Sequence, residues 1–245
     1  GGTSTFALNI CDGMRGTEKW SGIAAGLRRL GEVGEQIRAL GLPLIAPDPG
    51  AVLHEERIEH VYRECAPHAP RAVVAALSAG SFDFLRFVPE HCVRIGMIQS
   101  DEEGVYELVS QYLPWLDAVA GVSREICRKM ESRLEGRRIP VVHQPYGVPM
   151  SAQVPERREG GPLRVLYLGR VAEEQKRVSL MARVIRATLA TVADIEWTIA
   201  GDGPELPALR DALKEVDHVR FLGSVPYREV PGVMAAHDVY FLCSD

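Results

Sequence analysis

The sequence lacks paired cysteines, long apolar runs and a basic leader. Its 245 residues include five cysteines, an odd number with no CxxC pair, so we expect reduced, buried thiols and a cytoplasmic protein. No apolar run reaches the roughly 18 residues of a membrane span, and the first residues, "GGTSTFALNI", have no basic start of a signal peptide. We therefore expect a chain that is neither exported nor inserted into a membrane. The five thiols are Cys11, Cys65, Cys92, Cys127 and Cys243.

The charge pattern excludes two classes of partner. The formal net charge is -5 with both signs interspersed, which leaves no basic face for nucleic acid and no polybasic tail for anionic lipid. The histidines show no HExxH or HxxxH spacing, so we expect no metal site. The composition, 46% hydrophobic and 25% charged, is typical of a folded protein of one large or two ordinary domains.

Short apolar runs alternate with segments of helical periodicity, a pattern that predicts βα units around parallel sheets. Residues 149–161 are rich in proline, glycine and charge and have no apolar periodicity. This composition is typical of a linker. We predict two α/β domains, 1–152 and 163–245, joined at 153–162. The predicted strands are 21–27, 42–46, 72–77, 92–98, 118–122, 140–144, 163–169, 194–201, 218–223 and 238–244.

Cations follow the first strand of the second domain. Ligands of open parallel sheets bind beyond the carboxyl ends of the strands, and Gly169, Arg170 and Lys176 follow this strand and precede a helix. The N-terminus of that helix favours an anion, and two cations suit a diphosphate. A P-loop is not indicated, because no glycine precedes Lys176 and Arg177 stands where Ser or Thr should bind magnesium. The alternative is a solvated loop whose cations face water.

The next strand ends in "AGDGPE". Gly201 and Gly203 before a helix can let backbone approach a ligand, although Leu206 stands where a dinucleotide fingerprint has its third glycine. The alternative is a tight turn with Pro204 at the first helical position.

Polar residues also end a strand of the first domain, in "MIQSDEEG". Gln99 and Asp101 lie there, and carboxylates at a strand end can hold sugar hydroxyls or take a proton, or they can cap the helix that follows.

The second domain resembles a known family. The run from "LRVLYLGRVAEEQKR" through "WTIAGDGPELPALRDAL" to "HVRFLGSVPYREVPGVMAAHDVYFLCSD" is similar, in the order and spacing of its motifs, to the nucleotide-sugar half of glycosyltransferase family 4, the retaining group 1 glycosyl transferases. The first domain resembles the family more loosely. The resemblance implies a GT-B fold, α/β with two Rossmann-like domains facing across a cleft. It also implies truncation at both ends, with a first strand and two donor-binding glutamates missing.

The resemblance implies a retaining transfer of a sugar from a nucleotide-diphosphate donor, with Arg170 and Lys176 as the catalytic pair on the pyrophosphate and no metal. At position 99 this chain has glutamine where the family usually has histidine. The resemblance places Gln99 and Asp101 on the acceptor side of the site. Tyr146-Gly147-Val148-Pro149 replaces a frequent Asn-Gly-Val-Asp. The implied donor-binding residues are Gly1, Gly2, Gly169, Gly201, Gly203, Phe221 and Leu222.

The acceptor stays open between a glycan, a lipid and a small molecule. A lipid acceptor would bring peripheral association with the inner face of the membrane. Two other functions also stay open. One is a nucleotide-sugar epimerase of GT-B fold, which needs acid and base groups. The other is a non-catalytic nucleotide-sugar-binding protein, which the glutamine at position 99 favours because an amide carries no proton at neutral pH.

Overall fold

The computed structural model divides the chain into two compact units, Gly1–Pro149 and Met150–Asp245. The predicted linker lies outside the described residues over 153–159. The structure describes residues 2–15, 17–27, 31–76, 78–148 and 160–244.

The first unit contains a four-stranded parallel sheet in the order β3-β4-β5-β6 and a separate parallel pair, β1-β2. Each of the six strands lies within a predicted strand segment. Its strands are β1 Ala24–Ala25, β2 Leu44–Ile45, β3 Ala72–Ala75, β4 Val93–Ile98, β5 Ala118–Gly121 and β6 Val141–His143. Its helices are α1 Gly2–Met14, α2 Gly31–Ala39, α3 His54–Cys65, α4 Ala79–Leu85, α5 Glu103–Tyr112 and α6 Arg124–Glu131.

The two faces of the four-stranded sheet carry different packing. One face packs on α3 to α6 around Ile98, Val119 and Met130, which are fully buried. On the other face Met97 and Ala120 form a smaller buried cluster with Phe6 of α1. Because alternate residues of a strand point to opposite faces, Met97 and Ile98 belong to the two different clusters.

The second unit is one four-stranded parallel sheet in the order β10-β7-β8-β9. Its core lies between the sheet and two helices, with Ile185, Trp197 and Ile199 among its buried side chains. The strands are β7 Leu163–Leu168, β8 Ile195–Ala200, β9 Val219–Gly223 and β10 Val239–Tyr240, and the helices are α7 Glu173–Lys176, α8 Val178–Thr191, α9 Leu206–Ala212 and α10 Val230–Ala235.

All five cysteines are free thiols, in line with the sequence. The predicted burial is confirmed for Cys11, Cys92 and Cys127, whereas Cys65 and Cys243 are only half-buried. Burial raises the pKa of the Cys11 thiol above its usual value, and a thiol with a raised pKa is a weaker nucleophile at neutral pH.

Candidate functional site

The loop after β7 is fixed by a buried tyrosine. Tyr167 is fully buried in the strand, and its hydroxyl donates to the carbonyl oxygen of Arg170 at 2.6 Å. Burial in the core raises the pKa of Tyr167 to about 12, so the phenol stays protonated and can donate. The Arg170 side chain is exposed and has no hydrogen bond or ion pair with any residue that the structure describes. The loop therefore presents a free guanidinium on a fixed backbone.

The ammonium of Lys176 lies at the same edge of the sheet. Its Nζ donates to Oγ of Ser244 at 3.1 Å, just beyond the carboxyl end of β10. The Cys243 thiol donates to the Lys176 carbonyl oxygen at 3.1 Å. Within the described ranges, no carboxylate pairs with this ammonium. Arg170 and Lys176 thus both keep their positive charge uncompensated, which suits a bound anion.

The N-terminus of α8 is already occupied. The Glu173 carboxylate accepts from the Ser179 backbone N–H at 2.8 Å and from the Ser179 hydroxyl at 2.6 Å. These hydrogen bonds from Ser179 lower the pKa of Glu173 below its usual value. The anion predicted at the N-terminus of α8 is therefore the carboxylate of Glu173. The positive charges that remain for a ligand are the side chains of Arg170 and Lys176.

Gly201 and Gly203 are required by close packing of two loops. A Cβ on Gly201 would lie 1.8 Å from the carbonyl oxygen of Gly169, and one on Gly203 would lie 2.0 Å from that of Val171. The two loops also share the hydrogen bonds Gly169 N to Ala200 O and Val171 N to Asp202 O, both 2.9 Å. The structure explains both glycines by this backbone contact, and donor contact by them stays a prediction.

The turn before α9 differs from the alternative that placed Pro204 at the first helical position. The helix begins at Leu206, and the proline of its first turn is Pro207. Pro204 lies two residues before the first helical residue, so that placement of Pro204 is wrong. The first turn still tolerates a proline, since its N–H has no intrahelical partner there.

Phe221 and Leu222 occupy a bulge in β9. Phe221 of β9 pairs with Ile199 of β8, and the next residue of β8, Ala200, pairs with Gly223. Leu222 therefore has no partner in β8 and is the bulged residue. Phe221 packs against the core, and the Arg210 guanidinium lies 4.5 Å from its ring centroid. A bulge redirects the side chains at a strand end. That these two residues lie beside a nucleotide base stays a prediction.

Asp101 belongs to a network between helices. Its carboxylate accepts from the Tyr106 hydroxyl at 2.6 Å and pairs with Lys129 Nζ at 2.7 Å. The hydrogen bond from Lys129 is the main reason that the pKa of Asp101 falls below its usual value. The capping alternative is wrong for α5, because the residue at the cap, Glu102, makes no side-chain capping bond. Asp101 thus ties the end of β4 to α6.

The other first-domain candidates fall in different surroundings. Both amide atoms of Gln99 are buried and have no hydrogen-bond partner among the residues that the structure describes. Gly2 is the first residue of α1, and Gly1 lies outside the described part of the chain. The predicted residues therefore fall into two groups, one in each unit.

Sequence reasoning missed three contacts around these groups. The Tyr167 hydroxyl donates to the carbonyl oxygen of Arg170. The Ser244 hydroxyl accepts from the Lys176 ammonium. The Arg210 guanidinium lies over the ring of Phe221. Only Tyr167 carries a local signal, because a tyrosine within a buried apolar strand needs a partner for its hydroxyl.

The described residues contain neither a membrane-crossing helix nor a cluster of metal ligands. None of their helices combines the length and apolar character of a membrane-crossing segment. No group of three or more His, Cys, Asp and Glu side chains in the described ranges could hold a metal ion.

Residues 162–245 match the family described as Glycosyl transferases group 1. This is about a third of the chain and includes Arg170, Lys176 and the whole sheet of the second unit. No curated protein matches the chain significantly.

Solved structures extend the likeness to both units. The lipopolysaccharide outer core galactosyltransferase WaaB in its apo form has a TM-score of 0.64 at 17% identity, over 100% of this chain and 71% of its own. A glycosyltransferase from Rickettsia africae ESF-5 has a TM-score of 0.69 at 11% identity, over 100% and 70%. S. aureus MnaA in a co-structure with UDP has a TM-score of 0.63 at 9% identity, over 97% and 71%.

These likenesses confirm the predicted fold class, α/β with parallel sheets as in GT-B glycosyltransferases. The family match over 162–245 supports a glycosyltransferase, and the neighbours support the fold alone.

Proposed function

We propose that this protein is a retaining glycosyltransferase that moves a sugar from a nucleoside diphosphate donor to an acceptor. The observation that carries the proposal is the pair Arg170 and Lys176. Both cations follow β7 at the carboxyl edge of the sheet, neither has an anionic partner among the described residues, and both lie in the segment that matches the group 1 glycosyl transferases.

The chemistry follows from where charge develops. When the bond between the anomeric carbon and the donor oxygen breaks, negative charge builds on the leaving diphosphate. Cations that are already in place stabilise that charge without reorganising, and losing one such contact costs about 2 to 4 kcal/mol of barrier. Arg170 and Lys176 would supply this stabilisation, so the proposed reaction assigns no role to a metal. In a retaining reaction without a protein nucleophile, the leaving phosphate would also help to take the acceptor's proton.

The donor is proposed as a nucleoside diphosphate sugar. The neighbour MnaA holds UDP in its own structure, and two uncompensated cations suit the two phosphates of such a molecule. We propose that Gly169 and the bulge at Phe221 and Leu222 also contact the donor, since all three lie at the carboxyl edge of the same parallel sheet.

Binding of diphosphates and nucleosides tests the assignment. Calorimetry on the whole chain should show that Arg170→Ala or Lys176→Ala weakens binding of UDP, GDP or ADP, whichever binds, by about 10- to 100-fold. The corresponding nucleoside should bind nearly unchanged. Arg183→Ala on α8 is the matched control, because Arg183 is also an exposed arginine. Equal losses for nucleoside and diphosphate, or no loss at all, would rule out this role.

Turnover separates the proposed activity from its two alternatives. A transferase releases free nucleoside diphosphate when acceptor is added, whereas an epimerase converts the donor sugar without an acceptor and a binding protein does neither. NMR of the product then reports whether the anomeric configuration of the donor sugar is kept. Inversion would contradict the retaining mechanism.

A further inference from the structure

Two adjacent apolar side chains are exposed in the loop before α3. Val52 is 78% exposed and Leu53 is 58% exposed. Single exposed apolar residues are common on protein surfaces, whereas exposed apolar residues that adjoin one another mark contact with a partner or a membrane. We call Val52 and Leu53 the apolar tip.

Hydrogen bonds hold the backbone of the apolar tip. The Glu56 carboxylate accepts from the backbone N–H groups of Val52 and Leu53, at 2.8 and 2.9 Å. The Arg57 guanidinium donates to the carbonyl oxygen of Val52 at 3.1 Å and to that of Ala51 at 3.3 Å. The folded backbone therefore keeps both side chains in water. A loop that is already ordered loses little freedom when a partner covers it.

A cavity of about 410 Å³ lies beside this loop, between the end of β2 and α3. It adjoins the apolar tip through Asp48, whose carbonyl oxygen accepts from the Ala51 N–H at 3.4 Å, one residue before Val52. Apolar residues of β2 and two prolines form part of its lining. Its polar groups come from Asp48, His60, Glu64 and His68.

Three of these polar groups offer acceptors. The Glu64 carboxylate has no hydrogen bond or ion pair with a described residue, and Asp48 uses Oδ1 on the Gly50 N–H at 2.8 Å. The His60 Nε2 lies 2.9 Å from the Ala46 carbonyl oxygen. Because a carbonyl only accepts, Nε2 carries the proton, and Nδ1 of the neutral ring is an acceptor. A ligand with several N–H donors and a positive charge matches this cavity.

The charge around the apolar tip selects between kinds of membrane surface. Residues 47–68 carry five carboxylates and two arginines, a formal net charge of -3. Of the two arginines, Arg63 pairs with Glu59 at 3.7 Å. An anionic lipid surface attracts basic segments and repels an acidic one. A zwitterionic headgroup that ends in an ammonium is attracted instead, and a bilayer surrounds a small apolar tip without a preformed pocket.

The spacing between the apolar tip and the cavity suits a bilayer surface. His60 lies seven residues after Leu53, so the two are no more than about 10 Å apart along α3. A headgroup layer is about 5 to 8 Å thick on each side of the hydrocarbon core. An ammonium in the headgroup layer can therefore reach Asp48 and His60 when Leu53 enters the boundary of the acyl chains.

We propose that the apolar tip and the adjoining cavity dock on a bilayer that contains phosphatidylethanolamine. Val52 and Leu53 enter the acyl boundary, and the ammonium of a headgroup donates to the Asp48 carboxylate and to Nδ1 of His60. Phosphatidylcholine is a poorer partner because its trimethylammonium group has no N–H. This contact does not depend on the proposed transferase activity.

Co-sedimentation of the whole chain with vesicles tests the docking surface. The vesicles are phosphatidylcholine alone, or phosphatidylcholine with an equal part of phosphatidylethanolamine or of phosphatidylglycerol. Binding should be about three- to tenfold stronger with phosphatidylethanolamine than with phosphatidylcholine alone, and weakest with phosphatidylglycerol.

Leu53→Asp separates loss of contact from loss of fold. The change should weaken binding to the phosphatidylethanolamine vesicles about tenfold, because an apolar side chain no longer enters the bilayer. Leu53 is the N-cap residue of α3, where aspartate is preferred to leucine, so the unfolding midpoint should stay unchanged or rise. Val148→Asp is the matched control, since Val148 is an apolar residue of the same unit that is 67% exposed.

Asp48→Asn tests the headgroup contact. The amide oxygen can still accept from the Gly50 N–H, but the negative charge is gone. The preference for phosphatidylethanolamine should therefore disappear while binding to phosphatidylcholine is kept. Asp217→Asn is the control, because Asp217 is an exposed aspartate without an ion pair among the described residues.

The opposite results overturn the proposal. No binding to any of the vesicles, or equal losses for Leu53→Asp and Val148→Asp, rules out the docking surface. Stronger binding to phosphatidylglycerol would place the membrane contact on a basic surface elsewhere. Equal binding of the natural chain with and without phosphatidylethanolamine rules out the headgroup contact. If Leu53→Asp abolishes self-association in sedimentation velocity and has no effect on vesicle binding, the apolar tip covers a second copy of the chain and the bilayer is rejected. None of these assays contains donor or acceptor, so their failure leaves the proposed transferase untouched.

Discussion

The hydroxyl of Tyr167 donates to the carbonyl oxygen of Arg170 at 2.6 Å. A fully buried residue of β7 thus fixes the backbone of an exposed cation three residues later. The position of the Arg170 backbone is set by the strand, and the guanidinium has no counter-ion within the described residues. A loop whose backbone is already ordered does not lose that conformational freedom again when a ligand binds.

Tyr167→Phe should therefore weaken diphosphate binding without altering the fold. The change removes one hydrogen bond and leaves the Arg170 carbonyl unpaired, so the free energy of unfolding should fall by about 1 kcal/mol. Calorimetry should show a several-fold loss for the diphosphate and little change for the nucleoside. Tyr240→Phe is the control, because its hydroxyl donates to Leu168 at 2.8 Å and leaves the Arg170 carbonyl untouched. A larger binding loss for Tyr240→Phe would contradict this account.

Gly201→Ala and Gly203→Ala should be among the most destabilising single changes in the second unit. Each added methyl group would overlap a carbonyl oxygen, at 1.8 Å for Gly201 and 2.0 Å for Gly203. Gly201 also has φ of 138°, which disfavours any other residue. We expect a loss of about 3 kcal/mol or more in denaturant unfolding. Gly232→Ala on α10, where nothing lies within 4 Å of the added Cβ, should be neutral or slightly stabilising.

The strand content was largely predictable from the sequence, and strand ends were not. Each apolar run was short and bounded by glycine, proline or charge, which is why the ten strands of the described residues all fall inside predicted segments. The run 21–27 forms a ladder only at Ala24–Ala25, because β1 pairs with β2 over two residues. Pairing with a distant strand decides such a boundary, and a local pattern does not contain it.

In the candidate site, too, the local order of residues was predictable from the sequence, whereas contacts with distant residues were not. The positions of Arg170 and Lys176 after β7 follow from local order along the chain. Ser244, the partner of Lys176, is 68 residues away, and Lys129, the partner of Asp101, is 28 residues away. Neither partner follows from spacing. The glycines of "AGDGPE" suggested approach by a ligand, whereas the backbone that approaches them is the loop after β7.

Alkaline pH should destabilise the protein through Tyr167. Burial raises the pKa of Tyr167 from 10.0 to about 12, so between these values the unfolded chain loses a proton that the folded chain keeps. The stability linked to the neutral phenol is complete below pH 10, and it is lost as pH rises towards 12, by up to about 1.4 kcal/mol per pH unit. Urea titrations across this range should show a shallower decline for Tyr167→Phe. An unchanged slope would contradict the assignment. Tyr112, whose pKa burial also raises to about 12, should account for part of the decline that remains.

Ser244 should act on the diphosphate only through Lys176. Its hydroxyl accepts from Lys176 Nζ at 3.1 Å, so it limits the positions of a long, flexible side chain before the ligand arrives. Ser244→Ala should weaken diphosphate binding about three- to tenfold, because the ammonium must then be ordered on binding, while Ser244→Thr, which keeps the hydroxyl, should bind nearly as the natural chain does. In a double-mutant cycle, adding Ser244→Ala to Lys176→Ala should cause no further loss. Additive losses would mean that Ser244 contacts the ligand itself, and this role for Ser244 would then be wrong even if Lys176 binds the diphosphate as proposed.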